Sequence, residues 1–261
     1  MRDLKSYDVI LVNSSGGKDS QAMLDLVVEL ADAEGVRNRI VVVHCDLGRV
    51  EWKGTRELAE AQARHYGVRF EIVKRAKHDL LAEVRARKKW PSSTTRYCTS
   101  YYKREPAMAL MTRLVREVNA GRPVRILNCY GFRAEESTAR AKREVFSVNK
   151  RASNGRRHVD DWLPIHEWKL AEVWARIKAS GVPHHPAYDK GMPRLSCCFC
   201  IFAPKPALMI AAKENPELFE EYVAVEKEIG HRFRVSLSLV EVKDALDRGE
   251  EPGPCSGAWN M

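Results

Sequence analysis

The 261-residue sequence has no apolar run that approaches the length of a membrane span, and its first residues lack the apolar segment of a secretory signal. It also has no internal repeat and no low-complexity tract. We therefore expect a cytoplasmic protein that does not associate with membranes. With 30% charged and 44% hydrophobic residues, the sequence is typical of a globular protein of one large domain, or one domain with an appendage.

Acidic residues are fewer than basic ones, and the formal net charge is +9. This balance fits a polyanionic partner such as a nucleic acid or a nucleotide, although basic surfaces are also common without one. The seven cysteines are an odd number. In a reducing compartment they indicate metal or redox chemistry at some positions and packing at others. Cys45 and Cys129 lie in strand-like runs, so we expect both in the core.

Residues 13–20 read Asn-Ser-Ser-Gly-Gly-Lys-Asp-Ser, between an apolar run at 7–12 and a segment at 21–30 with helical periodicity. Two adjacent glycines let backbone N–H groups converge on an anion, and the next helix points its positive end at the same place. The ordinary nucleotide P-loop, G-x-x-x-x-G-K-S/T, does not fit, because Asp19 follows Lys18. We predict a phosphate loop of another kind; the alternative is a glycine turn without a ligand.

Strand and helix patterns alternate along the chain, which predicts an α/β fold with a Rossmann-like, doubly wound and mostly parallel sheet. Strands are predicted at 7–12, 39–45, 68–73 and 124–130, and helices at 21–30, 51–66, 79–88, 103–119 and 169–180. Residues 144–161 are polar and basic, and we interpret this insertion as a hairpin or mobile loop rather than core.

The last part of the sequence is predicted to be helical, at 205–230 with a break near Asn215 and Pro216, and at 237–248. This pattern predicts two domains. The first, at 1–203, would carry the phosphate loop and the basic insertion, and the second, at 204–261, would be a helical C-terminal extension.

Two further segments follow predicted strands, where doubly wound folds carry their ligand contacts. Asp46-Leu47-Gly48 follows the second strand, with an ordinary turn as the alternative. Arg133 and Glu136 follow the fourth strand and are expected at the same sheet edge as the phosphate loop. Arg133 could clamp phosphate through two N–H groups and Glu136 could hold Mg²⁺, with a helix-capping cluster as the alternative. Further basic residues follow in the sequence, at Arg140, Lys142, Arg143, Lys150, Arg151, Arg156, Arg157 and His158.

Three cysteines stand in patterns that suit metal binding. Cys98 lies between Arg96 and Lys103 near a predicted helix start, where positive charge favours a thiolate that acts as a metal ligand or nucleophile. The alternative is a buried structural cysteine. Cys197 and Cys200 have the C-x-x-C spacing that lets two thiolates bind one metal or an iron–sulfur cluster. His184 and His185 keep open a zinc site of two cysteines and histidine.

Taken in chain order, these motifs resemble the phosphoadenosine-phosphosulfate (PAPS) reductase-like family of PP-loop ATP pyrophosphatases, over roughly residues 7–203. Residues 15–20 resemble the PP-loop itself, and the other matching segments are 46–48, 96–99 with Lys103, 131–137 and 197–202. Leu47 departs from the Asp-Thr-Gly of the family. The resemblance implies an adenine nucleotide alpha hydrolase-like fold.

The family contains sulfonucleotide reductases and ATP pyrophosphatases that adenylate an oxygen so that sulfur can replace it. The reductases carry a C-terminal Glu-Cys-Gly-x-His motif, whereas Cys255 has neither that glutamate nor that histidine, and Cys98 is not part of a double cysteine. The sequence is more similar to the ATP pyrophosphatase components of DNA phosphorothioation (dnd and ssp) systems. That similarity implies ATP, Mg²⁺ and a 4Fe-4S iron–sulfur cluster, a cysteine desulfurase as sulfur donor, other modification-complex subunits, and DNA rather than tRNA as the nucleic acid.

The resemblance assigns roles to residues that match the family motifs. Lys18, Asp19 and Arg133 are predicted to be catalytic, and Cys98, Cys197 and Cys200 to hold the cluster, with Cys198 or Cys255 as candidates for a fourth ligand. The predicted nucleotide-binding residues are Ser15, Gly16, Gly17, Lys18, Asp19, Ser20, His44, Asp46, Arg133 and Glu136. A phosphosulfate reductase, a tRNA thiolation enzyme and a non-catalytic nucleotide-binding subunit remain as alternatives.

Overall fold

The computed structural model describes residues 3–255, which form two compact units. The first unit comprises the chain up to Cys45, Gly54–Val73 and Pro106–His185. The second comprises Asp46–Lys53, Lys74–Glu105 and the chain from Pro186 onward. The boundary predicted at residue 203 divides the chain differently and stays a prediction; residues 256–261 of the predicted extension lie outside the described part.

A six-stranded sheet forms the centre of the first unit. Its strands are β1 (Val9–Ser14), β2 (Ile40–Cys45), β3 (Arg69–Val73), β4 (Val124–Cys129), β5 (Phe146–Val148) and β6 (Arg157–Trp162). Their order in the sheet is β3-β2-β1-β4-β6-β5. All neighbours are parallel except β5, which runs antiparallel to β6. The predicted mostly parallel α/β sheet is confirmed.

The helices of the chain follow the predicted pattern closely. They are α1 (Lys18–Ala33), α2 (Thr55–His65), α3 (Leu80–Arg87), α4 (Tyr97–Thr99), α5 (Glu105–Val118), α6 (Thr138–Ala141), α7 (Leu170–Ser180), α8 (Lys205–Glu214), α9 (Pro216–Ile229) and α10 (Leu239–Asp247). One turn of π-helix, Ser100–Arg104, joins α4 to α5. No helix within residues 3–255 combines the length and apolar character that crossing a membrane requires.

The two faces of the sheet bury separate apolar layers. Ile10 and Val12 of β1 lie in the layer that contains Met23 of α1. Val9 and Leu11 lie in the opposite layer, which contains Leu110 of α5. Because both faces are covered, the central strands need apolar side chains in both directions, which explains their continuous apolar runs.

The interpretation of residues 144–161 is half right. They form a hairpin, but the expectation that they lie outside the core is wrong, because β6 pairs with β4 along its whole length and buries Val159. The polar residues of β6 can be buried because each finds a partner: Arg157 Nε donates to the Ala152 carbonyl over 2.6 Å, and Asp160 accepts from the Tyr7 hydroxyl over 2.9 Å.

This hairpin divides the basic residues that the sequence places between positions 140 and 158. Lys150, Arg151 and Arg156 lie in the turn before β6, at the amino ends of the parallel strands. Lys142 and Arg143 precede β5, which starts opposite Trp162 at the carboxyl ends. The two groups of cations therefore lie at opposite ends of the sheet.

The second unit has its own apolar core. Trp90 is 2% exposed, stacks on Tyr222 at a centroid distance of 5.4 Å and meets the edge of Phe233 at 5.1 Å. The predicted helix break is confirmed between α8 and α9. Pro216 occupies the first position of α9, where its fixed φ and missing N–H are tolerated, whereas inside one continuous helix it would remove a hydrogen bond.

Candidate functional site

The order of the sheet changes direction between β1 and β4, with β2 and β3 on one side and β6 and β5 on the other. In doubly wound folds, ligands bind at this switch point, outside the carboxyl ends of the strands. Residues 15–17 connect β1 to α1 at this end, and Arg133 follows β4. The structure therefore brings the predicted phosphate loop and Arg133 together.

The loop from β1 to α1 is held by its own hydroxyl groups. Ser20 Oγ donates to the Gly17 carbonyl over 2.9 Å and accepts from the Ser15 N–H over 3.2 Å. Gly16 has a φ of +68°, and a Cβ there would lie 2.9 Å from the Thr55 carbonyl oxygen. Both observations require glycine at position 16. The loop thus presents its backbone to the space at the start of α1.

The Asp19 carboxylate, 13% exposed, holds two buried cations at this position. Lys18 is 4% exposed and its Nζ lies 3.0 Å from Asp19 Oδ2. Arg133 Nε donates to Asp19 Oδ1 over 2.6 Å. Burial alone would raise the pKa of Asp19, but Lys18 and Arg133 outweigh it and hold that pKa below its usual range. Asp19 is therefore charged and ties α1 to the segment after β4.

Arg133 is bound by protein groups on more than one side. Besides Asp19, its Nη1 donates to Glu135 over 2.9 Å and to the Trp168 carbonyl over 3.3 Å. The structure thus shows Arg133 as a tie between loops. Its predicted role in neutralising phosphate charge stays a prediction.

Gly131 follows β4, and the sequence motifs predict no role for it. A Cβ at this position would lie 2.8 Å from the Asp19 carbonyl oxygen and 3.0 Å from the Ser20 nitrogen, so the segment after β4 passes directly against the start of α1. The available signal was a glycine directly after a predicted buried strand, where a close approach of two backbones is common.

His44 and Glu136 have structural partners. His44 is buried and its Nδ1 lies 3.1 Å from the Ser14 carbonyl oxygen. Glu136 accepts from the Arg133 N–H over 2.9 Å and pairs with Arg140. This is the capping geometry given above as the alternative to a Mg²⁺ ligand. The predicted roles of both residues in nucleotide binding stay predictions.

Asp46 belongs to the second unit. Its Oδ1 accepts from the Gly48 N–H over 2.6 Å, and Gly48 has a φ of +64°. This is an Asx-type turn, the alternative stated for this segment. Its predicted nucleotide contact stays a prediction.

A polar ladder that the sequence did not indicate crosses three strands near their carboxyl ends. Asn13 of β1 donates to Asn128 of β4, and Asn128 donates to Asp161 of β6, each over 2.7 Å. Asn149 also donates to Asp161, over 3.0 Å. Burial raises the pKa of Asp161. The ladder fixes the relative positions of the strands from which the candidate loops emerge.

The three predicted cluster cysteines lie in the second unit. Burial raises the pKa of the Cys197 thiol, and both Cys200 and Cys98 add to that effect, while Lys103 opposes it. Burial also raises the pKa of Cys200; Cys98 adds to this rise, whereas Lys103 and Arg194 oppose it. The three thiols are therefore close enough to interact electrostatically, among basic groups.

No three side chains of His, Cys, Asp or Glu within residues 3–255 are placed to hold a single metal ion. The zinc alternative thus finds no ligand set there. His184 and His185 lie in the first unit, with His184 against Trp174 and His185 Nε2 3.3 Å from Thr55 Oγ1.

An iron–sulfur cluster is larger than one ion and spreads its thiolates further apart. Three partly buried thiols with basic neighbours have the donor chemistry that such a cluster requires. Of the candidates for a fourth ligand, Cys198 is buried in the apolar core, and burial raises its pKa to about 12. Cys255 is half-buried, and burial raises its pKa as well.

The mostly parallel sheet with a glycine loop at its switch point is the adenine nucleotide alpha hydrolase-like fold that the sequence motifs implied. Residues 9–203 match the phosphoadenosine phosphosulfate reductase domain, and the chain belongs to this family. The match ends before α8, so the C-terminal helices lie outside it.

Two relatives match most of the chain. An adenosine 5'-phosphosulfate reductase of Allochromatium vinosum is 29% identical over 230 residues, which cover 84% of this chain and 78% of that protein. An uncharacterized protein of Methanocaldococcus jannaschii is 26% identical over 227 residues, which cover 87% of this chain but only 49% of that protein. The chain thus spans about half the length of that relative.

Among solved structures, the PAPS reductase of Candida auris in complex with phosphate has a TM-score of 0.50 and 20% identity, covering 75% of this chain and 84% of that one. A U34-tRNA thiolase of Methanococcus maripaludis, solved with its 4Fe-4S cluster, has a TM-score of 0.48 and 14% identity, covering 95% of this chain and 74% of that one. At 20% identity, the likeness to the PAPS reductase shows the fold alone.

Because Asp19 forms ion pairs with Lys18 and Arg133, we predict that the free energy of unfolding depends on pH. Because the pKa of Asp19 is lowered by folding, its contribution is present above the unfolded pKa of about 3.9 and is lost as pH falls through the folded value. We expect Asp19→Asn to reduce the free energy of unfolding at pH 7 by roughly 3 kcal/mol, since two buried cations lose their partner. Urea unfolding from pH 7 to pH 3 measures this difference, which should shrink in acid.

Asp32→Asn is the matched control, because Asp32 lies on the same helix and pairs with Arg37 at the exposed surface. It should change stability little. Equal effects of the two variants, or an Asp19→Asn effect that does not depend on pH, would contradict the assignment of the tie.

Proposed function

We propose that the chain is a PP-loop ATP pyrophosphatase that adenylates a substrate oxygen so that sulfur can replace it. The proposed acceptor is a nucleic acid, with phosphorothioate modification of DNA as the first candidate. The observation that carries the proposal is the glycine loop at the switch point, held against the segment after β4 by Asp19. Family membership supports an adenine nucleotide as the ligand.

The first unit would bind the nucleotide. The N–H groups of residues 15–17 and the start of α1 would bind the β- and γ-phosphates. Lys18 would neutralise pyrophosphate as it leaves, and because Lys18 is buried, its charge acts with little screening by water. A substrate oxygen would attack the α-phosphorus, release pyrophosphate and form an adenylate. AMP would leave when sulfur replaces that oxygen.

Mg²⁺ would have few protein ligands here. Asp19 is paired with Lys18 and Arg133, and Glu136 with Arg140. Mg²⁺ keeps several waters and takes phosphate oxygens where carboxylates are few. We therefore propose that it binds chiefly to the phosphates of ATP.

The second unit would bind the cluster that carries the sulfur. Cys98, Cys197 and Cys200 would hold a 4Fe-4S cluster, which when bound would carry the sulfur supplied by a cysteine desulfurase. Lys103 lies within electrostatic reach of Cys197 and Cys200 and would offset the negative charge of the thiolates. All seven cysteines are free thiols, the state in which a reducing cytoplasm would keep them, and we therefore propose that the protein is cytoplasmic. We further propose that its partners include other subunits of a modification complex.

A phosphosulfate reductase is the second candidate, favoured by the relative from Allochromatium vinosum. The same loop would then bind a sulfonucleotide, and a cysteine would accept the sulfur. Cys255 lacks the glutamate and histidine of the reductase motif, which is why we place this function second.

One assay separates the candidates. The anaerobically purified chain would be given ATP and Mg²⁺ with DNA or tRNA, or phosphosulfate with thioredoxin. We expect pyrophosphate release with nucleic acid, reduced at least about a hundredfold in Lys18→Ala because the buried charge that stabilises the leaving group is gone. Lys150→Ala, at the opposite end of the sheet, should keep full activity. If phosphosulfate yields sulfite and no pyrophosphate is released, the reductase function would replace our proposal. If there is no turnover with any substrate, a non-catalytic nucleotide-binding subunit would replace it.

The cluster is tested by composition rather than by activity. We expect the double variant Cys197→Ser/Cys200→Ser, purified anaerobically, to lose most of its iron, its acid-labile sulfide and its visible absorbance, because two of the three ligands are gone. Cys45→Ser, at the end of β2 in the first unit, is the control and should keep them. Unchanged iron in the double variant would refute the ligand assignment.

A further inference from the structure

The second unit contains a strongly basic segment. Seven of the 21 residues from 84 to 104 are Lys or Arg, and none is Asp or Glu. The segment includes the C-terminal half of α3, all of α4 and Cys98. We propose that its exposed cations bind the sugar–phosphate backbone of a nucleic acid. This inference rests on the proposed function and adds the place at which the acceptor docks.

The fold brings two parts of this segment together. Tyr97 Oη donates to the Lys89 carbonyl over 2.7 Å, and the Arg87 guanidinium lies 4.7 Å from the centre of the Tyr97 ring. Arg96, which precedes Tyr97, therefore lies beside the end of α3. We call Arg87, Lys88, Lys89 and Arg96 the basic surface; all four are exposed.

The charge of the basic surface is only partly neutralised by the protein. Arg87 pairs with Glu83. Within residues 3–255, neither Lys88, Lys89 nor Arg96 has a carboxylate within the 4.0 Å of an ion pair. Three neighbouring cations without acidic partners attract a polyanion, and binding releases the counterions condensed on it.

Lys88 occupies a backbone conformation that suits glycine better. It follows the last residue of α3 with a φ of +50° and a ψ of 32°, the left-handed conformation that commonly ends a helix. A lysine in this conformation reduces stability relative to glycine. Strained residues of this kind concentrate at functional sites, which fits a role for the side chain.

The aromatic residues of the segment indicate how the nucleic acid would be recognised. Trp90, Tyr97 and Tyr102 are 2%, 5% and 4% exposed, so their rings are not available to stack on bases. Tyr101 is partly exposed, but the guanidinium groups of Arg75 and Arg87 lie 4.5 and 5.2 Å from the centre of its ring. Recognition would therefore depend on phosphates and be independent of base sequence. DNA and RNA offer the same phosphates, and the experiment distinguishes them.

The position of the basic surface suits a sulfur acceptor. Arg96 is two residues from Cys98, and its guanidinium lies 5.0 Å from the centre of the Phe202 ring, two residues beyond Cys200. A backbone bound here would lie beside the predicted cluster ligands. The alternative basic segment at 140–158 is divided between the two ends of the sheet, and Arg140 and Arg157 are engaged by Glu136 and by the Ala152 carbonyl.

The test is fluorescence anisotropy with labelled single-stranded DNA, duplex DNA and tRNA, without ATP, over a range of salt concentrations. We expect Lys88→Gln/Lys89→Gln to weaken duplex binding roughly 60-fold at 0.1 M salt and to reduce the slope of log K against log salt by about 1.8. Lys150→Gln/Arg151→Gln removes the same charge from the hairpin turn and should change affinity less than about twofold. Equal losses in the two double variants, or no loss in the first, would overturn the proposal.

Lys88→Gly separates binding from folding. Glycine relieves the left-handed conformation, so the melting temperature should be unchanged or higher, while duplex affinity should fall roughly eightfold for one lost phosphate contact. Unchanged affinity in this variant would contradict the role of Lys88. A strong preference for one base sequence would contradict backbone recognition, whereas similar affinity across sequences would support it. Comparison of the DNA and tRNA affinities shows which backbone binds better.

Failure of this inference can be told apart from failure of the proposed function, because binding is measured without ATP. Salt-dependent binding that Lys88→Gln/Lys89→Gln weakens would support the basic surface even if no pyrophosphate is released. Nucleic-acid-dependent pyrophosphate release that is unchanged in this variant would overturn the basic surface and leave the proposed function standing.

Discussion

The Asp19 carboxylate is the group on which the arrangement at the switch point depends. It holds two buried cations, Lys18 beside it on α1 and Arg133 from the segment after β4. A buried charge is tolerated only when it is paired, so these three groups stabilise one another and fix two loops from neighbouring strands. Gly131 permits the close approach that the tie requires, since a side chain there would meet the backbone of Asp19.

The sequence was sufficient to predict most of the sheet. β1 and β2 are continuous apolar runs because helices cover both faces, and such runs are visible without a structure. β6 was missed as a core strand because its sequence, Arg-His-Val-Asp-Asp-Trp, is polar. The burial of Arg157 and Asp160 depends on partners distant in sequence, such as Tyr7, and no local pattern reveals them.

The candidate site was predicted to the extent that topology determines it. Residues 15–20 and Arg133 each follow a predicted parallel strand, so their position at the same sheet edge could be inferred from the sequence, whereas the pairing of β1 with β4 is seen only in the structure. The engagement of Arg133 by Asp19 could not, nor could the ladder from Asn13 to Asp161, because both require the register of the strands. Asp46 lies just after β2 but belongs to the second unit, a division that local sequence does not show.

The proposed function depends above all on the binding of ATP phosphates by residues 15–20. Amide hydrogen exchange with and without ATP and Mg²⁺ tests it directly, because bound phosphate oxygens protect the N–H groups that they accept from. We predict slower exchange in residues 15–20 and 131–133 at saturating ATP, and little change in the hairpin turn at 149–156. Protection confined to other segments, or none at saturating ATP, would contradict phosphate binding by residues 15–20.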